Sequence, residues 1–145
     1  MLKNVPSLIS PDLLYALARM GHGDEIVLSD GNFPGEAIAR ESGAMLIRCD
    51  AVGVPPLMEA VLKLIPLDAY DDNVLLMNKT AADEGLEVPI WETYQQIAAA
   101  HSEREPVFLE RFEFYERAKK AFAVVVTGEK AIYANVILKK GVVKE

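Results

Sequence analysis

Apolar residues recur along the chain in two rhythms, short continuous runs and spacings of three to four, and their order predicts strands alternating with helices. Ser10-Pro11-Asp12 reads as a helix start: a serine cap, a proline at the first helical position and an acid where the helix dipole favours negative charge. Leu13, Leu14, Leu17 and Met20 then mark one buried face, up to Gly21, whose freedom to adopt a left-handed backbone suits a helix stop. Glu25 to Leu28 reads as a strand. The two glycines and the proline of Gly31-Asn32-Phe33-Pro34-Gly35 read as a loop, and the polar stretch on to Gly43 continues it.

Further on, Ala44 to Arg48 reads as a second strand, Val54 to Leu64 as a helix broken by Pro66, and Asn73 to Met77 as a third strand. Lys79 to Val88 is polar and connecting, and Pro89 to Ala100 is an amphipathic helix carrying Trp91, Tyr94 and Ile97. Phe108 to Phe112 reads as a strand, Tyr115 to Ala121 as a short basic helix and Phe122 to Thr127 as a buried strand. After the turn Gly128-Glu129-Lys130 comes a last strand, Asn135 to Lys139. Parallel crossovers need about a dozen residues, so strands spaced by helices of this length predict an α/β fold with helices on both sheet faces. The short link between the last two strands predicts an antiparallel edge and hence a mixed, mostly parallel sheet.

Composition narrows the possibilities. The 145 residues fit one domain spanning 1–145, large enough for a continuous core, and the 51% hydrophobic share excludes a disordered chain. A net charge of −7 argues against nucleic acid as a partner, because phosphate binding needs clustered lysine and arginine. Cys49 is the one cysteine, so no internal disulfide or cysteine-based metal cluster is expected, as in a reducing compartment. With two histidines a histidine-rich metal site is also excluded. The N-terminal residues lack a long apolar core and Ala121 to Val126 is too short to cross a bilayer, so a cytoplasmic location with no membrane partner is expected.

Four places carry candidate chemistry. His22, flanked by glycines, lies on a turn just before a strand, and Asp30 lies just past that strand's end, where open α/β sheets place ligands. His22 serves equally as a helix-terminal histidine favoured by the dipole, and Asp30 as a turn former. If both are functional, one imidazole and one carboxylate face a common crevice. Arg111, at a strand's end among Phe112, Phe114 and Tyr115, is either a surface ion-pair partner of Glu110 or Glu113 or a half-buried arginine. Tyr133-Ala134-Asn135 is compatible with packing and turn formation as well as with binding. His101 lies in a charged loop and is read as solvated. The chain has no G-x-G-x-x-G, no phosphate loop and no G-x-S-x-G.

The segments Leu8 to Leu14, Met20 to Ile26, Ser29-Asp30 and Phe33-Pro34 resemble the opening of the RbsD/FucU sugar mutarotase family, in its L-fucose branch. Arg111 to Ala123, Thr127-Gly128-Glu129, Tyr133-Ala134-Asn135 and Leu138 to Val142 resemble the same branch in the same order, so the likeness runs through nearly the whole chain. Two stretches depart from it: Gly35 to Gly43, which reads as a longer and more polar loop, and Lys79 to Glu105, which has no residue-by-residue match.

This resemblance implies an RbsD-like three-layer α/β/α subunit that assembles into homo-oligomeric rings, including decamers built from pentamers, with a site close to a subunit boundary. It implies His22 as the catalytic residue and Asp30, Arg111, Tyr133, Ala134 and Asn135 as contacts to a monosaccharide. Tyr115 lies inside a matched segment without an assigned role. Mutarotation needs a proton taken from the anomeric hydroxyl and one delivered to the ring oxygen, work an imidazole with a pKa near 6.5 performs at neutral pH. No metal or cofactor is required. The expectation is therefore a cofactor-free aldose 1-epimerase acting on L-fucose or a similar pyranose; a D-ribose pyranase and a non-catalytic sugar-binding protein are the alternatives.

Overall fold

The computed structural model describes residues 1–145, in which five helices and six strands alternate. They are α1 (Pro11–Arg19), β1 (Glu25–Ser29), α2 (Gly35–Ser42), β2 (Met45–Cys49), α3 (Val54–Leu62), β3 (Val74–Met77), α4 (Ile90–Ala99), β4 (Val107–Leu109), α5 (Arg111–Ala118), β5 (Ala123–Thr127) and β6 (Val136–Lys139); a single 3-10 turn, Ala81–Asp83, follows β3. The strands form one sheet in the order β2-β5-β1-β6-β3-β4. All pairings are parallel except the two made by β6, which runs antiparallel to both β1 and β3.

The sheet is mixed and mostly parallel as expected, but its antiparallel strand is internal rather than at an edge. The short link after β5 does not fold back on β5. It crosses the carboxyl end of β1 and enters the sheet on that strand's far side, so that Leu28 pairs with Val136. Alternating side chains of β1 show the layering: Ile26 and Leu28 join the core beneath α1, α3 and α4, whereas Val27 joins the core beneath Ile38 of α2 and Phe114 and Ala118 of α5. Each fully buried leucine or valine here contributes about 1.5–3 kcal/mol. No helix is long and apolar enough to cross a membrane.

Three segments differ from the sequence expectation. Gly35 to Gly43 is not a loop: Gly35–Ser42 is α2, with Ile38 and Ala39 buried and Gly43 ending it at φ 77°. Its apolar face is only two residues wide, too narrow for a periodic signal among charged neighbours. Gly35 packs directly on β5, where a Cβ would lie 2.4 Å from Cγ2 of Val126.

The second difference concerns Phe108 to Phe112. The strand stops at Leu109, and α5 begins four residues before the expected helix because the Glu110 carboxylate accepts the N–H groups of Phe112 (2.9 Å) and Glu113 (3.2 Å). Arg111 thus stands at a helix start and is exposed, not half-buried at a strand end. Third, the left-handed glycine after α1 is Gly23, at φ 86°, rather than Gly21. The remaining elements agree with the expectation within a few residues, and the Ser10 side chain caps α1 through the N–H of Leu13 at 3.2 Å.

Candidate active site

The carboxyl ends of the five parallel strands share one edge of the sheet, and the link between β5 and β6 lies across it. A cleft of about 430 Å³ opens there, within the ~300–1,000 Å³ range of small-ligand sites. Asp30, Asn32 and Phe33 enter it from beyond β1, Met77 from the end of β3, Thr80 and Asp83 from beyond it, Arg111 and Tyr115 from α5, and Ile132, Tyr133 and Asn135 from the β5–β6 link.

The link is held against β1 by groups 98 to 105 positions apart. The Thr127 hydroxyl donates to the Ser29 carbonyl (2.7 Å), and the Gly31 N–H donates to the Glu129 carbonyl (2.9 Å). The Asp30 N–H donates to Oδ1 of Asn135 at 2.8 Å, and the Ala134 N–H donates to Oδ2 of Asp30 at 3.3 Å. Asp30 Oδ1 also accepts the Asn32 N–H at 3.0 Å. Burial pushes the Asp30 carboxyl above the usual carboxylate range, against the opposing pull of the N–H groups of Asn32, Ala134 and Phe33. Ala134 is itself buried behind the cleft, where its carbonyl accepts the Tyr94 hydroxyl at 2.7 Å.

Tyr133 adopts the left-handed backbone at φ 54°, a conformation costing a non-glycine residue on the order of 1 kcal/mol. Three side chains hold it there. Trp91 Nε1 donates to the Tyr133 carbonyl at 2.8 Å, the Tyr133 hydroxyl donates to Oδ2 of Asp83 at 2.5 Å, and Thr80 Oγ1 lies 3.2 Å from the same hydroxyl. Across the cleft, Arg111 Nε donates to the Tyr115 hydroxyl at 3.1 Å, with the guanidinium 5.4 Å from the rings of both Phe112 and Tyr115. The Tyr115 ring packs edge-on against Phe33, centroids 5.6 Å apart.

His22 is not in this cleft. It occupies the turn before β1, at the amino end of the strand, where the Gly23 N–H donates to the Lys140 carbonyl at 2.9 Å just past β6. The imidazole Nε2 bonds Oδ1 of the buried Asp68 at 2.9 Å, and the ring contacts Tyr70 edge-on at 5.7 Å. With Nε2 facing the carboxylate, Nδ1 is the ring nitrogen without a partner in the chain. Burial raises the Asp68 carboxyl, but the hydrogen bonds from His22 and the Tyr70 N–H and the nearby positive charges of His22 and Lys139 hold it below the usual carboxylate range. The His22 side chain remains 48% exposed.

Of the residues singled out in sequence, Asp30, Arg111, Tyr133 and Asn135 therefore converge, Ala134 supports them from behind, and His22 lies apart in the same chain. Sequence reasoning missed Asp68, Thr80 and Asp83. Asp68 has a local signal, Pro66-Leu67-Asp68, that reads only as a turn, and Thr80 and Asp83 lie in a stretch without apolar rhythm.

A model of the RbsD / FucU transport protein family matches residues 3–143. Human fucose mutarotase is 57% identical over 145 residues, covering 97% of this chain and 94% of the relative. Among solved structures, FucU from Bifidobacterium longum superposes with a TM-score of 0.92 at 44% identity, covering 98% of this chain and 100% of that one. The fucose mutarotase of Streptococcus pneumoniae, solved in complex with L-fucose, superposes with a TM-score of 0.89 at 48% identity over 99% and 100% of the two chains. With the family model spanning nearly the whole chain and full-length relatives above half identity, the chain belongs to the RbsD/FucU family.

Proposed function

We infer that the protein is an isomerase that interconverts the α and β anomers of L-fucose, or of a similar pyranose, by acid/base-catalysed ring opening and closure. The observation that carries this reading is a polar cleft at the strand ends, in a chain 48–57% identical to proteins named fucose mutarotase, one of them solved with L-fucose.

In the reaction a base takes the anomeric O–H proton as C1 becomes a carbonyl, the bond from C1 to the ring oxygen breaks, and an acid protonates that oxygen. The aldehyde turns about its C1–C2 bond and the steps reverse. Acid/base help of this kind is typically worth about 10²–10⁴ in rate. His22 is the catalytic group, accepting and returning the proton through Nδ1. Asn135 and Asp30 hold sugar hydroxyls, and Arg111 adds charge-assisted hydrogen bonds. The Tyr115 hydroxyl, whose oxygen accepts from Arg111, keeps its own proton to donate toward the ring oxygen.

An imidazole exposed at the opposite sheet edge from the cleft supports a homo-oligomer in which His22 of one copy closes the cleft of another. Such a head-to-tail contact generates a ring when the rotation closes. The lone thiol, Cys49, supports a cytoplasmic location.

NMR exchange between the anomer signals of L-fucose tests the activity, with D-ribose as the comparison sugar. The protein is expected to speed exchange of L-fucose anomers, and His22→Ala to remove the increment. A His22→Ala protein as fast as the parent would remove His22 from the mechanism, and a parent without effect on any sugar would overturn the isomerase reading.

A further inference from the structure

We propose that Asp83, in the 3-10 turn after β3, is a specificity-determining residue that accepts a ring hydroxyl of the bound sugar. The proposal rests on the mutarotase reading and deepens it. It begins from the way the turn is held. Lys79 Nζ donates to the carbonyls of Glu84 and Leu86, both at 2.8 Å, closing the turn on itself, and lies 5.8 Å from the Trp91 ring. Trp91 in turn donates to the Tyr133 carbonyl at 2.8 Å. Lys79 thus fixes the turn and Trp91, beside it, fixes Tyr133, and Asp83 borders the same cleft as Asp30.

The hydrogen-bond inventory then separates the two carboxylates. Asp30 is buried and both its oxygens already accept backbone N–H groups, from Asn32 and Ala134. Asp83 is half-buried and uses Oδ2 alone, on the Tyr133 hydroxyl, so Oδ1 has no partner within the chain. Each Asp30 oxygen keeps one lone pair for the sugar, whereas Asp83 Oδ1 is wholly unengaged, so Asp83 adds a second acceptor at the cleft wall. The same bond changes the part Tyr133 plays. Its single hydroxyl proton is committed to Asp83, and its oxygen lies beside the Thr80 hydroxyl and N–H at 3.2 and 3.4 Å. Tyr133 presents a ring face to the sugar rather than a donor, and a sugar hydroxyl with a proton to donate is met by Asp83. An ionised acceptor makes a hydrogen bond about twice as strong as a neutral one, so the sugar hydroxyl that meets it is read strongly.

The test uses the full chain with L-fucose and its 2-, 3- and 4-deoxy analogues. Binding is followed by fluorescence of the one tryptophan, Trp91, and turnover by anomer exchange. Asp83→Ala is expected to raise KM for L-fucose about tenfold while leaving kcat within about twofold, the signature of lost ground-state binding. One of the three deoxy sugars should bind the parent about tenfold more weakly than L-fucose yet bind Asp83→Ala no more weakly than L-fucose does. Tyr133→Phe, which removes the phenol and keeps Asp83, should retain that deoxy penalty. An unchanged KM in Asp83→Ala, or deoxy penalties equal in parent and variant, would overturn the proposal while leaving the mutarotase reading intact. A parent that turns over no sugar overturns both, and shows itself before any variant is made.

Discussion

His22 and Asp30 stand at opposite ends of the same strand. β1 separates them by five residues of extended chain, about 16 Å, and β6 binds each end in turn, through Lys140 beside the histidine and through Ala134 and Asn135 beside the aspartate. His22 and the cleft around Asp30 therefore cannot meet within one chain.

The first prediction follows from that separation. His22→Ala and Asn135→Ala are each expected to be inactive alone, because one lacks the base and the other the cleft. Unfolded together and refolded as a mixture, they should recover about a quarter of the parent's activity, the share of random pairings in which an intact histidine meets an intact cleft. Anomer exchange by NMR measures the recovery. A mixture as inactive as its parts would show that His22 does not act between copies.

Asp68 sets the next prediction. Its carboxyl is held below the usual range, so the folded state binds its proton less tightly than the unfolded chain does. The stability it contributes is present above the unfolded pKa, near 3.9, and is lost as pH falls through the lower folded value. Asp68→Asn should therefore cost about 1–2 kcal/mol at pH 7, with the gap between variant and parent narrowing below about pH 4. Urea unfolding at pH 7 and pH 3 reads this. The same variant should slow anomer exchange, since the carboxylate that fixes the imidazole tautomer is gone.

Tyr94 is fully buried and its hydroxyl donates to the carbonyl of Ala134, directly behind Asp30. Tyr94→Phe leaves that carbonyl without its partner, and is expected to lower stability by about 1–2 kcal/mol. Because Ala134 also donates to Asp30, KM for the sugar should rise in the same variant. Thermal unfolding and exchange kinetics measured on one preparation separate the two effects.

Gly128 has a steric reason to lack a side chain. A Cβ there would lie 1.9 Å from the Asp50 carbonyl oxygen, which is backbone and cannot turn away, while the Gly128 N–H donates to the Val52 carbonyl at 2.9 Å. Gly128→Ala is expected to destabilise by about 2 kcal/mol or more and to displace the link that carries Tyr133 and Asn135. Denaturant unfolding gives the first, and loss of exchange activity in the folded fraction the second.

What the sequence determined by itself was local. The cap at Ser10, the apolar spacing of α1, α3 and α4 and the buried runs of β1, β3 and β5 are each a relation among residues a few positions apart, and each was legible. The α/β class was legible too, and so were Asp30, Arg111, Tyr133 and Asn135 of the cleft, these through matched segments rather than spacing. α2 and the start of α5 were not: one buries only Ile38, Ala39 and the closely packed Gly35, and the other depends on a carboxylate at Glu110 capping its first turn.

Only the tertiary structure decided which of the site residues meet. Sequence order put His22 near Asp30 and Asn135 far from both; sheet order brought Asn135 to Asp30 and left His22 apart from the two. A strand holds its two ends apart whatever their sequence spacing, and β6, threading antiparallel between β1 and β3, brings position 135 to position 30. Strand order comes from burying both sheet faces at once, a sum over the whole chain that no single segment records.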